Sequence, residues 1–348
     1  MPEDQLEEDE EVKKPLLPPK FGRKALFFLA PVFVIIAGMA GYGHYTDPGP
    51  LPENKVFVVP HGSNLTVVEA LQGAGIVSPT WTSRVFFRGA AFITHKEGSI
   101  HAAEFQFPAH VSMAHVLEIL RHGKPISHQL TIPEGITSKK IVDIINNAPF
   151  LSGKLTEIQE GTVFPQTLAY VLGTPRQSIV ERLHSIMEKN LNDAWNKRDM
   201  LALDGLVQTP QDLLIIASLI EKETALPNER PRVARVFLNR LKLGMRLQTD
   251  PTVIYGLSDG SGVLDHPLTH ADLMTPNPYN TYLETGLPPG PICAPSKSSL
   301  FAAAHPADGK ELYFVANGNG GHNFSENLKE QNNNIRAYHH KVLSSGSH

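Results

Sequence analysis

Leu213-Leu214-Ile215-Ile216-Ala217-Ser218-Leu219-Ile220-Glu221-Lys222-Glu223-Thr224 is the segment from which the architecture can be read. Up to Ile220 it is apolar or small around the whole circumference of a helix, the mark of a helix buried at the centre of a domain. No breaker separates that run from Glu221 and Glu223, so two carboxyls are carried on a buried helix. Desolvation raises a carboxyl's pKa, and an acid still protonated near neutral pH can give its proton to a leaving oxygen. A second reading makes the same residues helix-end charges held by Lys222, Arg230 or Arg235. Periodicity leaves the choice open: Glu223 continues the stripe of Ile216 and Leu219, Glu221 that of Leu214 and Ala217, and the two face nearly opposite sides.

Helices are expected on both flanks. Ile179, Leu183, Ile186, Met187, Leu191 and Trp195 recur every three or four residues, which describes a helix with one buried face. Pro231 to Leu243 is amphipathic, with Val233, Val236, Phe237 and Leu241 on one side and Gly244 as its left-handed stop. In Arg246 to Gly256, Asp250 before Pro251 fits an N-cap followed by proline at the first helical position. Gln248, Thr249 and Tyr255 carry the amide, hydroxyl and phenol groups that match sugar hydroxyls and acetamides. Pro278 to Tyr282 and Gly286 to Pro291 read as loops that line a groove. Glu311 to Ala316 reads as a strand, with a glycine-rich loop at 318–321.

Leu130-Thr131-Ile132-Pro133-Glu134-Gly135 marks a transition, which places a domain boundary near residue 129. Before it, Lys55 to Val59 reads as a strand, Leu65, Val68 and Leu71 as a helix stopped at Gly75, and Val111 to Leu120 as another ended by Gly123. This unit, 55–129, is small and mixed. Residues 46–54 are rich in proline and form a stiff linker. Ala25 to Thr46 holds no Asp, Glu, Lys or Arg, about what one membrane crossing needs, and predicts a transmembrane helix over 25–45. Lys13, Lys14, Lys20, Arg23 and Lys24 precede it, which puts the N-terminus in the cytoplasm. Residues 1–24 and 344–348 are expected to be disordered tails.

The chain has 348 residues and a net charge of -4, with no bias toward nucleic acid. Its single cysteine, Cys293, cannot form an intramolecular disulfide. Gly256 to Gly260 matches a nucleophile-elbow pattern, but the helix that should follow Ser258 is absent. Pro267 spoils the helix that metal ligation by His266 and His270 would need.

The run ASLIEKETALPNERPRVARVFLNRLKLGMRLQTDPTVIYG, Ala217 to Gly256, is followed in order by YNTY, GLPPGPI, AAAHP and LYFVANGNGGHNF. From about Lys55 to Leu343 the chain resembles the endolytic murein transglycosylases of the YceG-like family. The resemblance implies an α+β protein: a single N-terminal transmembrane helix, a LysM-like subdomain over 55–129, and a larger mixed catalytic domain over 130–343. It implies that Glu223 is the catalytic acid/base, with Gln248, Thr249, Asp250, Tyr255, Tyr279, Asn280, His322 and Phe324 along the substrate groove. The chemistry implied is non-hydrolytic cleavage between N-acetylmuramic acid and N-acetylglucosamine, giving 1,6-anhydro ends, with no metal or other cofactor. Peptidoglycan glycan strands would be the substrate and peptidoglycan synthases the partners, with the enzyme single-pass in the inner membrane and its catalytic domain periplasmic. The chain departs from the family pattern at Gln166, where an acidic residue is usual, at Ala103 to Phe107, and at Gln331-Asn332. A hydrolase using Glu223 with Asp250 and an inert glycan-binding scaffold are the rival expectations.

Overall fold

The computed structural model describes residues 23–345, with side chains from 31 to 343 other than 33, 34 and 37. The chain divides between Ile126 and Ser127 into two units.

The first unit contains helix α1 (Arg23–Thr46), strand β1 (Lys55–Val58), helices α2 (Asn64–Gly73) and α3 (Trp81–Ile93), strand β2 (Glu104–Phe107) and helix α4 (Met113–His122). Strands β1 and β2 pair antiparallel, Lys55 opposite Phe107 and Val58 opposite Glu104. Serine or threonine starts each of the three later helices, the hydroxyls of Ser63, Thr80 and Ser112 accepting from the backbone N–H three residues on. Val68, Leu71, Phe87, Phe105, Phe107, Val116, Leu117 and Leu120 fill the core.

The expected membrane segment is helical, but among the described residues no helix is long and apolar enough to cross a membrane. Glycines at 38, 41 and 43, with Tyr42 and His44, lower the apolarity of the part whose side chains are described. The tail expected over 1–24 lies outside the described residues except for Arg23 and Lys24, which begin α1.

The second unit runs β3 (Ser127–Thr131), α5 (Ser138–Asn147), β4 (Thr167–Val171), α6 (Arg176–Asn196), a short α7 (Met200–Leu203), α8 (Pro210–Glu223), α9 (Arg230–Lys242) and α10 (Asp250–Leu257). It ends with α11 (His270–Leu273), α12 (Lys297–Ala304), β5 (Tyr313–Ala316), β6 (His322–Ser325) and α13 (Leu328–Ser345). Helix α13 thus takes in Ser344 and Ser345, which the sequence reading gave to a disordered tail. Strands β3 and β4, and β5 and β6, form separate antiparallel pairs, so helices and strands mix as an α+β fold.

Helix α8 is the axis of this unit. Thr209, Pro210 and Asp212 start it with a capping box, and every residue from Leu213 to Ile220 is buried. Helices α6, α9, α10 and α12 pack around it. Each fully buried Leu or Ile contributes about 1.5–3 kcal/mol, so this run anchors the domain. Its one polar member, Ser218, is satisfied: the hydroxyl donates to the Ile215 carbonyl at 2.7 Å and accepts from the Ile292 N–H at 3.1 Å.

Candidate active site

At the end of α8 the two glutamates meet different surroundings. Glu221 Oε1 accepts from Arg230 Nη2 at 3.2 Å, and Oε2 accepts from the Ser296 N–H at 2.8 Å and its hydroxyl at 2.6 Å. Arg230 Nη1 donates to the same Ser296 hydroxyl at 2.8 Å, closing a buried clamp among α8, α9 and α12. Glu223 has no such cage. Its Oε1 accepts from the Thr249 hydroxyl. Burial raises its carboxyl above the ordinary range; the Thr249 hydrogen bond opposes this, the charge of Asp250 adds to it, and His322 and Arg240 pull back without cancelling. Such a carboxyl holds its proton to a higher pH than a surface glutamate.

Three segments surround that carboxyl. The first is the start of α10, where Thr249, not Asp250, occupies the N-cap position. Proline follows Asp250 as expected, but the Thr249 hydroxyl is turned to Glu223 and no side chain caps the helix. Asp250 is therefore a first-turn residue, exposed, with its carboxylate accepting from the Tyr282 phenol at 2.6 Å. Buried hydroxyls hold this segment: the Thr249 N–H donates to Thr281 Oγ1 at 3.0 Å, and Thr252 Oγ1 lies 2.9 Å from the same atom. Gln248 just before it is exposed, with a left-handed φ of 51°.

The second is the hairpin of β5 and β6, carrying His322 and Phe324. Glu229, at the start of α9, accepts from the His322 N–H at 2.8 Å, and His322 Nδ1 lies 2.7 Å from its other oxygen. Burial pushes Glu229 upward, but the His322 contacts and the Thr224 hydroxyl outweigh it and leave the carboxyl below its ordinary range. Phe324 packs under Arg232, whose guanidinium stands 4.0 Å from the ring centre. Gln331 donates to the Phe314 carbonyl at 3.1 Å and accepts from the Ser325 hydroxyl at 3.2 Å, tying the hairpin to α13.

The third is Arg240 on α9, which donates to the carbonyls of Leu247 at 2.8 Å and Leu312 at 2.7 Å. It thereby ties the chain before Thr249 to the chain before β5.

Tyr255 and Tyr279 form a second cluster, ring centres 4.8 Å apart. The Tyr255 phenol donates to Glu160 at 3.2 Å, and Glu160 also accepts from the Ser138 N–H and hydroxyl and the Gly161 N–H. Burial raises the Glu160 carboxyl despite these donors. Glu160 and Tyr255 line a cavity of about 570 Å³ with Ser138, Val142 and Ile158. Glu160 was not among the residues expected from the sequence to take part in the site. A larger cavity, about 770 Å³, is lined by Asp199, Arg235, Lys242 and Lys310 and touches none of these carboxyls.

Asn280 lies inside the fold. It is fully buried, donates to the carbonyls of Leu273 at 3.1 Å and Thr275 at 2.8 Å, and accepts from the Tyr282 N–H at 2.9 Å. Its amide builds the loop, with both N–H groups and one lone pair of Oδ1 engaged there. Among the described residues no group of three or more His, Cys, Asp and Glu is placed to hold a metal ion.

The profile of the YceG-like family matches residues 57–337. A Bacillus subtilis protein named endolytic murein transglycosylase is 36% identical over 194 residues, 56% of this chain and 51% of the relative. A Streptococcus pneumoniae protein of the same name is 26% identical over 368 aligned positions, 90% of this chain and 64% of the relative. The chain thus matches only 51% and 64% of these relatives' lengths. A YceG-like protein of Listeria monocytogenes, known from a crystal structure, superposes with a TM-score of 0.49 at 25% identity, covering 81% of this chain and 99% of that one.

Proposed function

The chain belongs to the YceG-like family, and we propose from that membership that it is a peptidoglycan lytic transglycosylase cutting within glycan strands. The observation that carries this reading is Glu223: a carboxyl at the end of a buried helix, raised in pKa, touched by one hydroxyl and free of any ion-pair cage. A general acid needs that combination, since it must hold a proton near neutral pH and be free to release it.

In the proposed reaction Glu223 gives its proton to the glycosidic oxygen between N-acetylmuramic acid and N-acetylglucosamine, and the bond from that oxygen to the muramyl anomeric carbon breaks. The carboxylate then takes the proton of the muramyl 6-hydroxyl as that oxygen bonds to the anomeric carbon. Glu223 is thereby regenerated, and the product ends in a 1,6-anhydro ring. Because the nucleophile belongs to the substrate, one carboxyl suffices. Thr249 orients Glu223, and Gln248, Tyr255, Tyr279, His322 and Phe324 are assigned to the glycan groove. Cutting nascent strands would end their elongation beside the synthases that make them. We read 25–45 as the membrane anchor, the N-terminus as cytoplasmic and 55–129 as the LysM-like subdomain.

Mass spectrometry of purified glycan strands after digestion tests the reaction, since an anhydro end is one water lighter than a reducing end. Reducing ends lost with Glu223→Gln would make the protein a hydrolase, and absence of cleavage from acidic to neutral pH would favour a scaffold. Fusing one-sided reporters to His348 tests the topology: activity of a cytoplasm-only reporter would reject it.

A further inference from the structure

Helix α3, Trp81–Ile93, is apolar on two faces, and the protein covers only one. Ser83, Phe87 and Ala91 are buried in the first unit's core. Around the opposite side Trp81, Val85, Phe86, Phe92 and Ile93 stand exposed, Trp81, Phe92 and Ile93 at 75%, 76% and 78%. At 100° per residue these five fall on one continuous arc. Scattered apolar residues on a surface are ordinary, but a contiguous aromatic and aliphatic face on one helix is not.

What covers it is indicated by α1. The last turns of α1 pack on α3: His44 Nε2 lies 2.8 Å from the Ser83 hydroxyl, and the His44 and Phe86 rings are 5.0 Å apart. Between the helices, Gly41, Tyr45, Val85, Phe86, Gly89 and Ile93 line an apolar recess of about 390 Å³. Farther back along α1, Val32, Ile35, Ile36, Met39 and Tyr42 are also exposed. In the anchor reading the span ends at residue 45, so α3 is held at the depth of the lipid headgroups. With 13 residues, about 20 Å, it is too short to cross a bilayer and suited to lie in its surface. Of its two charges, Arg84 pairs with Glu69 of α2 at 3.3 Å, and Arg88 is exposed beside Trp81 and Phe92 on the helix surface. Tryptophan and phenylalanine beside an exposed arginine suit a helix lying in a membrane interface.

We propose that α3 is a second membrane contact: its Trp81–Val85–Phe92–Ile93 face lies in the outer interface of the bilayer beside the end of α1, with the α1–α3 recess taking lipid acyl chain. This rests on the anchor reading under Proposed function and extends it from a tether to a docked orientation of the first unit.

The test uses the full chain in vesicles of phosphatidylcholine and phosphatidylglycerol brominated either near the headgroup or near the chain ends. Trp81 and Trp195 are the two tryptophans, so subtracting the spectrum of Trp81→Phe from that of the unaltered chain isolates Trp81. The replaced side chain is largely exposed, so the fold is retained. Expected is loss of most Trp81 emission to bromine near the headgroup, less to bromine near the chain ends, and shielding from aqueous iodide. A chain that floats with the vesicles but keeps Trp81 open to iodide and untouched by either bromine overturns the proposal and leaves the anchor standing. Trp81 shielded from iodide yet unquenched by bromine also overturns it, since a second copy or another protein then covers the face. A chain stripped by alkaline carbonate, but with Trp81 quenched near the headgroup before stripping, supports the contact and removes the anchor. A chain that never floats removes both.

Discussion

Glu221 and Glu223 sit two residues apart on one helical turn, and the structure makes opposite use of them. Glu221 faces α9 and α12, where an arginine and a serine saturate both its oxygens. Glu223 faces α10, where only a threonine hydroxyl reaches it. The difference teaches that burial alone does not make a catalytic acid. A buried carboxyl with full partners is a rivet; one left short of partners has a proton to trade.

The sharpest way to break this comparison is to neutralise each in turn. Glu223→Gln keeps the shape but cannot exchange a proton, so activity on glycan strands should fall by on the order of a hundredfold or more, measured as product per folded molecule. The same variant should be the more heat-stable at neutral and alkaline pH. Burial raises the Glu223 pKa, so the favourable form is the protonated one, present below the unfolded pKa and lost as pH rises through the folded value. Thermal unfolding across pH should show that gain vanish in acid.

Glu221→Ala inverts the pattern. It strands Arg230 in the interior, and denaturant unfolding should register a loss of about 3–5 kcal/mol. Activity per folded molecule at low temperature should stay near that of the parent. A Glu221 variant as inactive as Glu223→Gln while fully folded would end the division of roles.

Smaller effects sharpen the Glu223 side. Thr249→Val removes a donor that favours the carboxylate, so the Glu223 pKa should climb further. The alkaline limb of the pH–activity profile should move to higher pH. Asp250→Asn acts in the other direction, since removing its negative charge lowers the Glu223 pKa and moves that limb down. Asp250 is exposed and screened, so this is the smaller of the two shifts and should shrink as salt is raised. An Asp250→Asn protein that is folded but inactive would instead favour two-carboxylate hydrolysis.

Where local pattern governs, the sequence was readable. The all-apolar run of α8, the one-sided stripe of α6 and the glycine stop after α9 each depend on neighbours within a few residues. Helix α3 went unread although its helical period is present in the sequence. At α10 the helix was expected to start one residue later than it does, and the N-cap Thr249 spends its hydroxyl on a carboxyl 26 positions away. Glu160 and Glu229 went unassigned for a similar reason. Their partners Tyr255 and His322 lie 95 and 93 positions along the chain, and no local spacing announces such a meeting. Asn280 was placed in the groove by the resemblance alone, and no local pattern told that its side chain would be buried in the loop.

Glu229 joins Thr224 at the end of α8 to His322 on the hairpin, and its charge survives into more acidic solution than an ordinary glutamate's. That tie is present above the unfolded pKa and fails only as pH falls through the depressed folded one. Glu223 is shifted the opposite way. Between the two titrations lies an operating window in which the hairpin is still docked and the acid still loaded. Its floor is set by Glu229 and its ceiling by Glu223, and His322, which touches the first and draws down the second, couples the two edges.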